Sequence, residues 1–192
     1  EPLRAYALML MPAVGASALI VGSYFLNLVV NLVVALGLML AAAVALDVWL
    51  IARRGWWLPR PTRPQWVVLG FAAVLLIVAF LPHLHGRSLA MLGLNIDEEL
   101  YVPLAELLKS NTVFMRDAAV GPFQSEFQTV VNHSRGWGFP YLLTIASLLS
   151  NEPAFHAYVP VLYLLLALSV PAAFIFGRGA LGVSERTAAL GA

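Results

Sequence analysis

The sequence predicts an all-α, polytopic membrane protein with about four to five transmembrane helices and an extracytoplasmic loop that bears short interfacial amphipathic helices. Three observations predict it. Of 192 residues, 61% are hydrophobic and 11% charged, against roughly 25% charged in an ordinary soluble domain. No residue from Ala5 to Leu46 carries a charge. The charges that do occur fall in two kinds of place, arginines in short connecting stretches and acids in one long polar segment.

The elements follow in chain order. At 1.5 Å per residue, the 42 residues of the uncharged stretch make a helix about twice the ~30 Å hydrocarbon thickness, so they hold two spans. These lie near 6–25 and 29–51, within an N-terminal hairpin over 1–52. The turn falls in "GSYFLNLVVN", where Gly22, Ser23, Asn27 and Asn31 are the polar and flexible positions. Residues 53–66 form a basic loop with Arg53, Arg54, Arg60 and Arg63, edged by Trp56, Trp57 and Trp66. By the positive-inside rule this loop and the N-terminus are cytoplasmic, which makes 67–86 an outward helix in the cell's inner (plasma) membrane. Pro82 and Gly86 are expected to end it.

The segment 87–154 is then extracytoplasmic. It holds six of the ten acids by residue 126: Asp97, Glu98, Glu99, Glu106, Asp117 and Glu126. Leu100, Tyr101, Leu104, Leu107 and Leu108 recur at helical spacing, so 97–109 reads as a short amphipathic helix lying on the membrane. Asn95 and Glu98 suit a capping box, and Pro103 is expected to strain or kink the helix unless it stands in the first turn. "YLLTIASLLS" from Tyr141 is apolar but too short to span, and reads as a second interfacial or re-entrant helix. An inward span follows at 155–178, tolerating Pro160 and Pro171 as membrane helices can. Residues 179–192 make a cytoplasmic turn and start a further helix near Thr187. Glu1 stands where an initiator Met would, and the close of the sequence reads as the first turn of another apolar helix, so the chain is expected to be part of a longer protein.

Several function classes drop out. Zero cysteines exclude disulfide frameworks, thiolate catalysis and Cys-based metal sites. A net charge of +1 with scattered arginines gives no nucleic-acid partner. The first apolar stretch is too long for a cleavable signal. A transporter or channel is disfavoured because no charge lies at mid-span. The partner that composition does imply is the lipid bilayer, and the Ala, Leu, Val, Gly and Arg bias looks bacterial.

The acids at 97–99 carry the chemical interest, since carboxylates just outside a span can take a proton, contact a metal ion or hold a sugar hydroxyl beside a headgroup. On position alone the ordinary explanation is the stronger one, because helix first turns favour acids. The order of parts points further. An outward span, an Asp–Glu pair with an aromatic close behind (Asp97, Glu98, Tyr101), an amphipathic helix, and a second interfacial helix entered through Pro140 and Tyr141 come first. An inward span ending in Gly177, Arg178, Leu181, Gly182, Ser184 and Glu185 follows. Over roughly residues 66–192 this resembles the start of the GT-C integral-membrane glycosyltransferases, such as the protein O-mannosyltransferases and the lipid A aminoarabinose transferases. Two departures stand beside the resemblance: the hairpin at 6–51 precedes what would be the family's first span, and most of that family's remaining spans are not in the chain.

The resemblance implies transfer of a sugar from a polyprenyl-phosphate donor to an acceptor on the outer membrane face, by an enzyme of which this chain is an incomplete part. It makes Asp97 the general base or acceptor-binding carboxylate and Glu98 its positioning partner. The pair would also be the ligands of a divalent metal ion, if the enzyme uses one. Tyr101, Arg116, His133 and Arg135 are the substrate-binding candidates, with Arg135 the strongest of the cations for the departing phosphate. His83 and His85, at i, i+2, need a ligand from elsewhere to hold a metal. The alternative from another class is a non-catalytic subunit docked on other membrane subunits, its acids serving only as helix-start charges.

Overall fold

The structure is a computed structural model that describes residues 6–55, 60–86, 96–112 and 138–192, with the backbone alone described for 82–86 and 96–100. Of the described chain 86% is helical, with no strand among the described residues. The elements are α1 (Ala7–Asn27), α2 (Leu32–Arg54), α3 (Arg63–Gly86), α4 (Ile96–Ser110), α5 (Gly138–Ser150), α6 (Ala154–Gly179) and α7 (Glu185–Gly191). Four of them, α1, α2, α3 and α6, are long and apolar enough to cross a membrane. The protein is thus an all-α, multi-pass membrane protein. The 13 residues of α5 rise only about 20 Å, short of the hydrocarbon core.

Helix ends explain where the elements differ from expectation. The third span starts at Arg63 rather than at residue 67, because Thr62 and Gln65 close a capping box: Gln65 N donates to Thr62 Oγ1 (3.5 Å), and Thr62 N to Gln65 Oε1 (3.2 Å). Trp66, expected in the loop, is therefore inside the helix. Pro82 does not end α3, which continues to Gly86. Gly55 terminates α2 with φ +69°, and its N–H returns to the Ile51 carbonyl at 2.8 Å. That left-handed stop is one a glycine makes at little cost. α4 runs unbroken through Pro103, its eighth residue. A proline there forfeits the bond to the carbonyl four residues back and costs about 3 kcal/mol. Burial of Leu104, Ala105 and Leu108, all 0% exposed, offsets it.

The chain divides into two compact units, and α1, α2 and α6 each give residues to both. The first comprises Glu1–Gly15, Ile51–Ser88 and Leu162–Ala192. Its core joins Met9, Val68, Val170, Phe174 and Ala188, with the Tyr6 ring edge-on to Phe174 at 6.0 Å. Here α3 packs on α7. The sequence "FGRGALGVSERTA" makes this turn: Arg178 Nη1 donates to the Val183 carbonyl (2.9 Å), Gly182 takes φ +67°, and Ser184 caps α7 by accepting from Thr187 N (3.2 Å). The second unit comprises Ala16–Leu50 and Leu89–Val161. Its core joins Leu32, Ala35, Leu104, Leu108 and Tyr141. Where Gly22 faces α2, a Cβ would stand 2.6 Å from Met39 Sδ, so the missing side chain gives the thioether its place.

Charge follows the same division. Among the described residues the first unit carries Arg53, Arg54, Arg60, Arg63, Arg178 and Arg186 with a single carboxylate, Glu185. The second carries Asp47, Asp97, Glu98, Glu99, Glu106 and Glu152 with one lysine, Lys109, and no arginine.

Candidate functional site

The acidic stretch lies where the amphipathic reading expects it. Asp97 and Glu98 stand in the first turn of α4, where the unpaired N–H groups of a helix favour negative charge. Tyr101 follows one turn on. Its ring meets Phe139 of α5 at 5.4 Å, and Phe139 in turn meets Tyr158 of α6 edge-on at 5.4 Å. Of the site residues read from the sequence, the structure therefore joins Tyr101 to the starts of α5 and α6. Arg116, His133 and Arg135 lie outside the described residues, as do Asn95, Arg87, Asp117 and Glu126.

The apolar face of α4 finds its cover in protein. Leu104 and Leu108 share one core with Tyr141 of α5 and with Leu32 and Ala35 of the hairpin. Thr144 Oγ1 reaches across to the Ala105 carbonyl at 3.0 Å. Ala105, absent from the sequence-based stripe, is the small residue that lets α5 approach.

Three polar residues hold this platform, and the sequence reading gave none of them that part. Asn27, at the end of α1 and fully buried, donates through Nδ2 to the Val30 carbonyl and to the Asn111 carbonyl just past α4, both at 2.9 Å. Its Oδ1 accepts from the Tyr141 hydroxyl at 2.7 Å. One side chain thus ties the hairpin turn, the end of α4 and the start of α5. Burial, and then the neighbouring Tyr24, push the Tyr141 phenol well above its ordinary value, which keeps it a neutral donor. Glu106, counted in the sequence among the loop acids, accepts from Ala154 N at 2.5 Å and so caps α6 from another helix. Lys109 Nζ holds the same carboxylate at 2.8 Å.

The α5–α6 joint explains the spacing of that cap. Asn151 takes φ 56°, and Glu152 N returns to the Ser147 carbonyl at 3.1 Å, which closes a Schellman turn. The Ser147 hydroxyl also donates to the Glu152 carbonyl. His156 Nδ1 lies 3.1 Å from the Glu152 carboxylate on an exposed face. A groove of about 380 Å³ opens here between Glu106, Lys109, Ser147, Asn151 and Glu152. An apolar cleft of about 330 Å³ is walled by Ile20, Val21, Tyr24, Phe25, Gly138 and Tyr141. Among the described residues no group of three or more His, Asp or Glu side chains gathers into a metal-holding cluster.

The signals for the clamp were present in the sequence. An asparagine inside a long uncharged stretch needs a partner, because an unsatisfied amide in an apolar surrounding is costly. The identity of that partner, a tyrosine 114 positions away, follows from tertiary packing alone. Compared with protein-family models, curated proteins and solved structures, the chain matches none of them.

Proposed function

We propose that this chain is the acceptor-side part of a GT-C type glycosyltransferase, moving a sugar from a polyprenyl phosphate to an acceptor hydroxyl at the outer face of a bacterial inner membrane. The observation that carries the reading is the acidic pair Asp97–Glu98 in the first turn of α4, a helix that follows an apolar span and packs on α5. The arginines Arg53, Arg54, Arg60, Arg63, Arg178 and Arg186, all in or beside short connections between the long helices, support a cytoplasmic placing of those connections. The apolar cleft beside Tyr141 offers a wall of the kind an isoprenoid chain needs.

In the proposed reaction the acceptor oxygen attacks the anomeric carbon as its proton passes to the Asp97 carboxylate. The bond from that carbon to the phosphate oxygen breaks, and polyprenyl phosphate leaves with the electron pair. Glu98 orients the acceptor, Arg135 and Arg116 meet the leaving phosphate, and His133 and Tyr101 border the sugar. The phosphate is already a good leaving group, so positioning and proton removal are the main demands on the protein. A divalent ion, where the enzyme uses one, would be held by Asp97 and Glu98 and would neutralise phosphate charge.

The test is transfer from a radiolabelled polyprenyl-phosphate sugar in membranes carrying the whole reading frame that contains this chain. Replacing Asp97→Asn is expected to lower turnover by roughly 10²–10⁴, the range for loss of a general base. Normal turnover in that variant ends the proposal. One observation favours the second reading, a non-catalytic subunit of a membrane complex. Glu106 is an acid of the same segment that serves as a helix cap, and Asp97 could do the same for α4.

A further inference from the structure

We propose that the groove between the start of α3 and α7 binds the headgroup of an anionic phospholipid. The groove has a volume of about 780 Å³, with walls that include Pro64, Val67 and Leu190 and a rim that includes Arg63, Arg186 and Glu185. Both arginines are exposed, and neither side chain has an ion pair or hydrogen bond to another described residue. Glu185 is turned towards Thr62, whose Oγ1 donates to it at 3.4 Å. The lining therefore holds two guanidinium groups and one carboxylate, in a unit whose remaining described charges are all arginines.

That combination selects its occupant. A guanidinium fork matches phosphate oxygens two at a time, while Val67, at 63% exposure, and Leu190, at 90%, leave apolar surface open beside it. A soluble anion would satisfy the arginines and leave that surface wet. A phospholipid satisfies both, with the phosphate on the rim and the upper acyl chain along the wall. The span α3 begins at the groove, so the ligand is at hand in the bilayer. Net negative headgroups are preferred, because the ammonium of a zwitterionic lipid would meet the surrounding arginines. The groove shares no residue with α4, and its occupancy is independent of any glycosyl transfer.

Native mass spectrometry of the whole chain released from detergent micelles tests it, with dioleoyl phosphatidylglycerol and dioleoyl phosphatidylcholine as probes. Phosphatidylglycerol is expected to stay bound and phosphatidylcholine to be lost. The double variant Arg63→Gln/Arg186→Gln is expected to weaken phosphatidylglycerol roughly thirtyfold, at about fivefold for each basic group near a membrane surface. Arg53→Gln/Arg54→Gln, with the same change in charge, is expected to retain it. Val67→Trp fills the wall without altering charge and is expected to release the lipid. Equal retention of the two lipids overturns the proposal, as does equal loss in both arginine pairs, which would mean diffuse adsorption. Displacement of the lipid by inorganic phosphate overturns it in favour of a soluble anion.

Discussion

Asn27 offers the sharpest test of how the second unit is held. Its fully buried side chain makes three hydrogen bonds, two as donor at 2.9 Å and one as acceptor at 2.7 Å. Asn27→Leu keeps the approximate volume and removes all three. In membrane proteins a side-chain bond averages about 0.6 kcal/mol and reaches about 1.7, so the loss comes to about 2–5 kcal/mol. Tyr141→Phe removes the bond shared with Asn27 and is expected to cost about 0.6–1.7 kcal/mol for it on the same scale. Asn27→Asp keeps the acceptor for Tyr141 but turns a carboxylate oxygen on the Val30 and Asn111 carbonyls, and is expected to be worse than Asn27→Leu. The assay is reversible unfolding in mixed micelles with increasing SDS, followed by far-UV circular dichroism. The double variant Asn27→Leu/Tyr141→Phe is expected to be less destabilised than the sum of its parts by at least about 0.5 kcal/mol. Strict additivity within about 0.3 kcal/mol, or an unchanged midpoint for Asn27→Leu, would refute the clamp.

Other expectations use the same assay. Glu106→Ala removes the cap on Ala154 N and should cost about 0.5–2 kcal/mol. Glu106→Gln keeps an acceptor and loses only the partly exposed pair with Lys109, so it should stay within about 1 kcal/mol of wild type; a larger fall would mean the charge itself matters. Tyr141 sets a pH dependence. Its phenol lies above the ordinary value in the folded state, so the folded form holds the proton more tightly than the unfolded form. The associated stability is therefore complete below about pH 10 and declines as pH rises beyond it. Tyr141→Phe should remove that alkaline component, and an identical alkaline slope in both proteins would contradict the assignment.

What could be read without coordinates was what periodicity and composition encode. The spans near 6–25, 29–51 and 155–178 correspond to α1, α2 and α6 with ends displaced by one to three residues, because apolar length against bilayer thickness is a strong constraint. The amphipathic helix expected at 97–109 is α4, at Ile96–Ser110. Errors cluster where a local capping bond competes with composition. Arg63, Pro64 and Trp66 look like loop residues, yet the reciprocal bonds of Thr62 and Gln65 draw them into α3. Prolines misled in the same direction, since at Pro103 tertiary burial outweighs the lost bond. Illegible from sequence were the long-range polar bonds, which depend on which helix faces which.

That distinction bears on the acids themselves. In the sequence Glu106 and Asp97 are the same kind of residue, carboxylates in a polar stretch of an apolar chain. Glu106 is engaged: its oxygens meet the Ala154 amide and the Lys109 ammonium, and a carboxylate so occupied is poorly placed to accept a substrate proton. Asp97 and Glu98 stand in the first turn of their own helix, where backbone dipoles favour a negative charge. A first-turn position is therefore expected of an acid with or without a part in catalysis, and the turnover of the Asp97→Asn variant is the measurement that separates the two readings.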